Sequence, residues 1–375
     1  MQRTPGLLVL EDGSVFEGEA ATPGTRFGEV VFNTSMTGYQ EVLTDPSYRG
    51  QIVVMTQPHI GNYGTTGAVA ESRRAWVEGF LARQFTREPS GSDGEEGLLP
   101  YLRRAQVPAL HGIDTRALVR RLRERGALRG VVTSERSDVS GLLAEVRDSP
   151  AMTGRALVEE VTCDRPYEVL PAGAPICHLA VYDFGAKQNI LRSLSGLGAR
   201  LTVLPASTPA SRVRALAVDG VVLSNGPGDP EPLSGIIAAV REIISAEIPI
   251  LGICLGHQLL GLALGAKTFK LKFGHHGGNQ PVRDVATGRV EITSQNHGFA
   301  VDPDSLPPGC RVTKVNLNDG TVEGFSALGR PIWSVQYHPE AAPGPHDSAE
   351  LFDRWVATVA TATARAASAD AARPA

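Results

Sequence analysis

The chain has 375 residues, of which 42% are hydrophobic and 20% are charged, and its formal net charge is -4 at pH 7. This length indicates two or three domains with a substantial core. The small acidic charge gives no support for nucleic acid or an anionic membrane as a partner, because both favour basic surfaces. The first residues lack a secretory signal and no apolar run is long enough to span a bilayer, so we expect a cytoplasmic protein.

The cysteines and histidines do not form a recognisable metal or disulfide pattern. The 4 cysteines are Cys163, Cys177, Cys254 and Cys310. They are widely spaced without a CxxC pair, so we predict neither a disulfide framework nor a zinc site. His275 and His276 are adjacent and therefore point in different directions, and no further ligand stands at a suitable spacing. The sequence thus predicts no metal site.

The N-terminal part combines strand-like and helical segments. Apolar runs flank Asp12-Gly13, which predicts a hairpin with a type I′ turn. Residues 28–35 and 51–57 are typical of further strands, and the helix DTRALVRRLRER begins after an N-cap at Asp114. We therefore predict an α+β domain with a substantial sheet over residues 1–170.

The pattern changes after the proline- and glycine-rich stretch VLPAGAP. Short apolar segments such as HLAVYDF and IPILGI alternate with amphipathic helices such as SGIIAAVREII. This alternation predicts an α/β domain with a largely parallel sheet over residues 177–363. Antiparallel strands are expected around VEITSQNHG and PIWSVQY, and the biased composition of residues 364–375 predicts a disordered tail.

A candidate nucleophile stands in the stretch Gly252-Ile253-Cys254-Leu255-Gly256. This is the cysteine form of the G-x-S-x-G nucleophile elbow, in which a strand turns sharply into a helix and glycines leave room for the turn. The sulfur is then presented at the carboxyl edge of a parallel sheet, next to a helix N-terminus that stabilises anions. The alternative for Cys254 is a buried structural cysteine at a tight turn.

A thiol nucleophile needs a base, and His338 is the best-placed histidine by type. It ends the strand-like segment IWSVQYHPE, so it is expected at a sheet edge. Glu340 follows two residues later and points the same way if the segment is extended, so it can orient the imidazole of His338. His257, in the helix after Cys254, is assigned a structural role.

These residues and several longer motifs resemble the class I glutamine amidotransferases. GICLGHQ and QYHPE carry the resemblance, together with LSNGPGDP and SQNHGF, over roughly residues 178–360. The N-terminal stretches VVFNTSMTGYQEVLTDPSYRGQIVVMTQPHIGNYG and GIDTRALVRRLRERG resemble, more narrowly, the small subunit of carbamoyl-phosphate synthase. KFGHHGGN and HPEAAPGPHDSAELF fit the same family. The implied fold is a class I amidotransferase domain behind an N-terminal α+β domain.

The resemblance implies hydrolysis of L-glutamine through a glutamyl thioester. Cys254 would be the nucleophile, His338 the acid and base, and Glu340 the group that orients His338. By the same resemblance, the glutamine-binding residues are Ser47, Gly226, Gly228, Leu255, Gln258, Asn296, Gly298 and Phe299. The oxyanion would be held by the N–H groups of Leu255 and Gly228.

The family also implies a partner. Ammonia would pass through an internal tunnel to a large subunit, which uses ATP and Mg²⁺ to make carbamoyl phosphate from bicarbonate for arginine and pyrimidine synthesis. The present chain carries no Walker-type motif, and we expect no cofactor in it. The N-terminal domain would then be the docking and gating surface. Two positions depart from the family pattern, the glycine-rich loop 91–97 and Gln280, and neither belongs to the triad.

Three alternatives remain on the sequence alone. The chain could serve another synthase, such as those that make anthranilate or GMP, but their glutaminase subunits lack this N-terminal domain. It could be a free-standing γ-glutamyl hydrolase without a channel. It could also be an inactive regulatory scaffold, in which case we would expect Cys254 or His338 to be replaced, and both are present.

Overall fold

The N-terminal half is built on a strand barrel. The computed structural model describes residues 4–91, 94–327 and 329–371, with side chains up to residue 362. The strands of this half are β1 (Pro5–Leu10), β2 (Val15–Thr22), β3 (Thr25–Asn33), β4 (Gln51–Met55), β5 (His59–Ile60), β6 (Gly79–Leu81), β7 (Gln84–Phe85), β8 (Ala109–His111) and β9 (Leu128–Thr133). Its helices are α1 (Tyr39–Thr44), α2 (Leu98–Arg104), α3 (Thr115–Arg125), α4 (Val139–Asp148) and α5 (Val158–Val161).

The barrel closes in the order β1-β2-β8-β6-β4-β3-β9, with β9 returning to pair with β1. Successive residues of its strands alternate between two hydrophobic clusters, as the two-residue period of a strand requires. Val30 and Ile52 pack in the cluster that contains α3, whereas Val31 and Val53 pack with α1 and α2. The substantial sheet expected from the sequence is therefore present. Its closure into a barrel has no signal in the sequence.

The first hairpin and the helix after Asp114 form where the sequence predicts them. β1 and β2 pair antiparallel around the turn, but only Gly13 has a positive φ (88°), so the predicted type I′ turn, which needs positive φ at Asp12 as well, is wrong. Asp114 caps α3 by accepting a hydrogen bond from the amide of Ala117 at 2.9 Å. The helix ends at Gly126, whose φ is 104°.

The C-terminal half is a mixed sheet between two layers of helices. Its strands are β10 (Tyr167–Val169), β11 (Cys177–Asp183), β12 (Ala199–Pro205), β13 (Gly220–Leu223), β14 (Ile250–Ile253), β15 (Thr268–Asp284), β16 (Val290–Val301), β17 (Cys310–Asn316), β18 (Val322–Ala327) and β19 (Ile332–Val335). Its helices are α6 (Gln188–Gly196), α7 (Ala210–Ala215), α8 (Ser234–Ser245), α9 (Leu255–Leu264) and α10 (Glu350–Ala371).

The strand order is β10-β12-β11-β13-β14-β19-β18-β17-β15-β16. Strands β12, β11, β13, β14 and β19 run parallel, which confirms the predicted α/β class. The segment PIWSVQY was expected to be antiparallel. It is parallel to β14 and antiparallel only to β18, because it joins the parallel and antiparallel parts of the sheet. Helices α6 and α10 cover one face, and α7, α8 and α9 cover the other.

Two segments differ from their expected place. β10 pairs with β12 of the second sheet, although its residues fall within the predicted N-terminal domain 1–170. Helix α10 continues to Ala371, into the tail 364–375 for which disorder was predicted, and residues 372–375 lie outside the described residues. Among the helices that the structure describes, none is long and apolar enough to cross a membrane.

The two halves meet along β15, which runs beside the barrel. The amide of Ala127 donates to the carbonyl oxygen of Lys272 at 2.8 Å, and the amide of Thr34 donates to that of His276 at 3.2 Å. Lys270 forms an ion pair with Glu29 of β3. These contacts bring the loops after β3 and α1 against the carboxyl edge of the parallel strands, where ligands bind in α/β folds.

Candidate active site

Cys254 lies at the sharp turn between β14 and α9. Its backbone has φ 53° and ψ −104°, a conformation that residues with a Cβ rarely adopt. The amide of Cys254 donates to the carbonyl oxygen of Val335 at 2.9 Å, and the amide of Gly256 donates to that of Ser224 at 3.0 Å. The strained turn is therefore held by the segments on both sides of it, as at other functional elbows.

The glycines on either side of Cys254 are required by contact distances. A Cβ on Gly256 would lie 2.1 Å from the carbonyl oxygen of Leu223, at the end of β13. A Cβ on Gly252 would lie 2.8 Å from the carbonyl oxygen of Gly256. At both distances a Cβ would overlap sterically with the carbonyl oxygen, so the turn can form only with glycine at these positions.

His338 and Glu340 form a buried pair near Cys254. The amide of His338 donates to the carbonyl oxygen of Ser294 at 2.9 Å, and its ring Nδ1 donates to Glu340 Oε1 at 2.6 Å. The sequence placed this pair on an extended segment, but the segment is a turn, closed by a 3.1 Å bond from the amide of Ala341 to the carbonyl of His338. Nε2 of His338 has no close hydrogen-bond partner among the described residues, and its interaction with the Cys254 side chain places the ring beside the sulfur.

The electrostatics of this pair favour an imidazolium beside a carboxylate. Burial and the nearby Lys187 lower the pKa of His338, but the Glu340 carboxylate and the Cys254 side chain outweigh them and hold that pKa well above its usual range. Burial raises the pKa of Glu340, but Lys187 and His338 outweigh this effect and hold that pKa well below its usual range. Both shifts favour a protonated His338 beside an ionised Glu340, the arrangement in which an imidazolium can give a proton to a leaving group.

Lys187 is a buried cation that no motif in the sequence marks. Its Nζ lies 3.0 Å from Glu340 Oε1 and donates to the carbonyl oxygen of Ala341 at 2.6 Å. The side chains of Lys187 and Glu340 are 3% and 0% exposed, so the pair is shielded from water. A buried carboxylate with two cationic neighbours stays ionised and keeps a fixed position.

A small cavity opens beside Cys254, and most of the predicted glutamine-binding residues line it. Those that line it are Ser47, Gly226, Gly228, Gln258, Asn296, Gly298 and Phe299. Leu255 does not line it with its side chain, but as the first residue of α9 it has its amide next to the nucleophile. The structure therefore brings these predicted residues from four separate parts of the chain to one place.

Three further residues line the same cavity and were missed in the sequence. Gln51 begins β4, Met152 follows α4, and His297 stands between two predicted residues in β16. His297 could have been selected from its place between Asn296 and Gly298. Neither Gln51 nor Met152 belongs to a local pattern that signals chemistry, and only the packing of the two halves brings them here.

The N-terminal half holds the cavity wall through Asp45 and Ser47. Asp45 Oδ2 accepts a hydrogen bond from the side-chain amide of Asn296 at 2.9 Å. The side-chain amide of Asn225 donates to Ser47 Oγ at 2.9 Å and to Asp45 Oδ1 at 3.3 Å. All four side chains are buried, so these bonds exchange little with water and fix the two halves relative to each other.

A buried histidine cluster stands behind the cavity wall. His275 lies between Asp319 Oδ2, 2.8 Å from its Nε2, and Gln295 Oε1, 3.0 Å from its Nδ1. Gln295 Oε1 also lies 2.9 Å from Nε2 of His297. Burial opposes the charge of His275, but the hydrogen bond to Asp319 and the Glu323 carboxylate, 3.6 Å from Nδ1, raise its pKa to about 9. A charged histidine thus supports the residue that lines the cavity.

By ligand type, His275, His297 and Glu323 could hold a metal ion, since one ligand atom of each lies within 4.8 Å of the others. However, the amide oxygen of Gln295 lies between the two histidines and is hydrogen-bonded to Nδ1 of His275 and to Nε2 of His297. Glu323 Oε1 accepts a hydrogen bond from Asn316 at 2.9 Å. Because other protein groups already hold both ring nitrogens of His275 and of His297, we assign no metal to the cluster.

Comparison with known proteins agrees with this fold. A family model described as glutamine amidotransferase class-I matches residues 180–358, which include the Cys254 elbow and the His338–Glu340 pair. A second model, carbamoyl-phosphate synthase small chain, CPSase domain, matches residues 8–132. The chain therefore consists of a class I glutamine amidotransferase domain and, before it, a domain of the carbamoyl-phosphate synthase small chain.

Relatives of known name span nearly the whole chain. The carbamoyl phosphate synthase small chain of Syntrophotalea carbinolica is 51% identical over 93% of this chain and 96% of its own length. Those of Pseudomonas aeruginosa and Escherichia coli are 50% and 49% identical over 95% and 94% of this chain, and over 98% and 97% of their own lengths. The chain belongs to the carbamoyl-phosphate synthase small-chain family.

Proposed function

We propose that this chain is the glutaminase subunit of a glutamine-dependent carbamoyl-phosphate synthase. The observation that carries the proposal is the buried constellation of Cys254, His338 and Glu340 beside a cavity lined by Gln258 and Asn296. A thiol on a strained elbow and an imidazolium held by a carboxylate are the groups that acyl transfer from an amide requires. The membership of the family supplies the substrate, L-glutamine.

The reaction follows from the roles of these groups. The sulfur of Cys254, as thiolate, attacks the side-chain carbonyl carbon of glutamine, and the oxyanion is stabilised by the amides of Leu255 and Gly228. His338 gives its proton to the amide nitrogen as the C–N bond breaks, which releases ammonia and leaves a glutamyl thioester. The now neutral His338 takes a proton from water, which attacks the thioester, so that glutamate leaves and the starting state is restored.

The ammonia is consumed by a second subunit. The names of the relatives as a small chain support a large-chain partner, at which ATP and Mg²⁺ would be bound, and the N-terminal barrel would contact it. The chain itself requires no cofactor for the thioester chemistry. We place the reaction in the cytoplasm, where a cysteine nucleophile stays reduced.

Two experiments test the proposal. Purified chain should release glutamate from L-glutamine, and Cys254→Ser should lower kcat by at least about 10³-fold, because the weaker nucleophile cannot be activated by the same pair. Cys163→Ser, at a half-buried cysteine outside the site, is the matched control and should be fully active. Full activity of the Cys254 variant would overturn the proposal. Failure of an ATP-dependent partner to co-purify from the native source would overturn the subunit assignment alone.

A further inference from the structure

The helix that follows the first strand of the parallel sheet begins without a cap of its own. Lys187 occupies the N-cap position of α6 and makes no side-chain capping hydrogen bond in the described part of the chain. Instead, the amide of Gln188 donates to the carbonyl oxygen of Glu71 at 2.8 Å, and the amide of Asn189 donates to Glu71 Oε2 at 3.0 Å. The cap of α6 is therefore supplied by the other half of the molecule. A carboxylate at a helix N-terminus is a stabilising arrangement.

Glu71 is fixed firmly within the N-terminal half. Its amide donates to Thr44 Oγ1 at 2.9 Å, and the hydroxyl of the next residue, Ser72, donates to the carbonyl oxygen of Thr44 at 2.6 Å. Glu71 is only 1% exposed. Burial raises the pKa of its carboxyl to about 7, against the opposing effect of Lys187. No step of glutamine hydrolysis uses this buried acid, so its place needs another explanation.

The first turn of α6 leads directly to the catalytic carboxylate. The side-chain amide of Asn189 donates to the carbonyl oxygen of Glu340 at 2.8 Å, and Nζ of Lys187 lies 3.0 Å from Glu340 Oε1. The residue capped by Glu71 thus holds the backbone of Glu340, and the residue before the helix holds its side chain. A shift of this turn would move the carboxylate that orients His338.

We propose that Glu71 is a positioning residue for the catalytic carboxylate: from the N-terminal half it caps α6 and so fixes Lys187 and Asn189 against Glu340. The N-terminal half then contributes to catalysis as well as to docking. A change in its position relative to the sheet is passed to Glu340 through one helix turn. The proposal rests on the proposed function, since it concerns the rate of glutamine hydrolysis at Cys254.

The full-length chain tests this by the separate behaviour of kcat and KM for glutamine. Glu71→Ala should lower kcat about tenfold and leave KM within about twofold, because Glu71 is not among the residues that line the cavity. Glu71→Gln should recover most of kcat, since its amide oxygen can still accept from Asn189. Glu159→Ala, an exposed acid of the same half, is the control and should match the wild type.

The outcomes separate the two proposals. If the wild type hydrolyses glutamine and Glu71→Ala has the same kcat, the positioning role is wrong and the proposed function stands. Equal losses in Glu71→Ala and Glu71→Gln, together with a raised KM, would also overturn it, because they indicate general disruption. If the wild type does not hydrolyse glutamine, the proposed function itself fails. Should Glu71→Ala not fold, Thr44→Val, which removes the bond to the Glu71 amide, should show the same selective loss of kcat.

Discussion

The proposed catalytic triad and the proposed glutamine cavity of this protein are built in different ways. Cys254, His338 and Glu340 all come from the C-terminal half and sit on turns next to two neighbouring parallel strands. The cavity beside them needs the other half as well, through Ser47, Gln51 and Met152. The three proposed catalytic side chains are presented by turns of one half, whereas the proposed glutamine-binding residues are brought together by the packing of the two halves. Variants of the two regions should therefore affect different kinetic constants.

The largest expected effect belongs to the triad. His338→Asn should lower kcat by about 10³-fold, because it removes both the acid for ammonia and the base for water. Steady-state glutamate release measures this loss. His257→Asn is a useful comparison, since His257 is fully buried against Ser334 and Phe325 and serves packing. A His338 variant with a kcat close to that of the wild type would show that His338 is not the catalytic acid and base.

Because of the histidine cluster behind the cavity, the free energy of unfolding should fall as the pH becomes alkaline. The pKa of His275 is raised to about 9 in the folded protein from a usual value of 6.5, so its stabilisation is fully present below pH 6.5 and is lost as pH rises through 9. Between pH 7 and pH 10 this loss amounts to about 2 kcal/mol of unfolding free energy. Urea unfolding at the two pH values measures it.

Asp319→Asn should reduce that pH-dependent loss, because it removes the first carboxylate partner of His275. Asp304→Asn, at an exposed carboxyl away from the cluster, is the control. Identical pH dependence in Asp319→Asn and the wild type would show that His275 is not held in its charged form by this contact.

The smallest effect is expected where the two halves join at the cavity. Asp45→Ala removes the acceptor for the side-chain amide of Asn296, so the wall loosens and KM for glutamine should rise about tenfold. The kcat should change little, because the described hydrogen bonds of the Asp45 side chain go to Ser47, Asn225 and Asn296 and not to the triad. A selective fall in kcat would contradict the division between the two regions.

The parts of the site that depend on local geometry could be predicted from the sequence. Gly252 and Gly256 signal the elbow because a sharp strand-to-helix turn excludes a Cβ, and the spacing of His338 and Glu340 is short enough to predict their contact. The alternating strands and helices of the second half likewise predicted its parallel sheet. The expected extended geometry of 338–340 was wrong, yet the contact forms because a turn also brings the two side chains together.

The remaining features depend on contacts between distant segments. Lys187 has no local partner that marks it, since Glu340 stands far along the chain. Gln51 and Met152 reach the cavity only because the barrel packs against β15. The closure of β9 onto β1 is set by strand twist and register, which a sequence pattern does not report. The roles of the glutamine-binding residues stay predictions, because their positions around the cavity do not by themselves demonstrate binding.

The most direct test of Cys254 as the nucleophile is to trap the covalent intermediate. Wild-type protein mixed with L-glutamine and quenched in acid should carry a glutamyl adduct on the peptide that contains Cys254, detected by mass spectrometry. Cys254→Ser treated in the same way should carry no thioester, and Cys163→Ser should show the wild-type adduct. Glutamine hydrolysis without any adduct at Cys254, or with an adduct on another cysteine, would contradict the central claim.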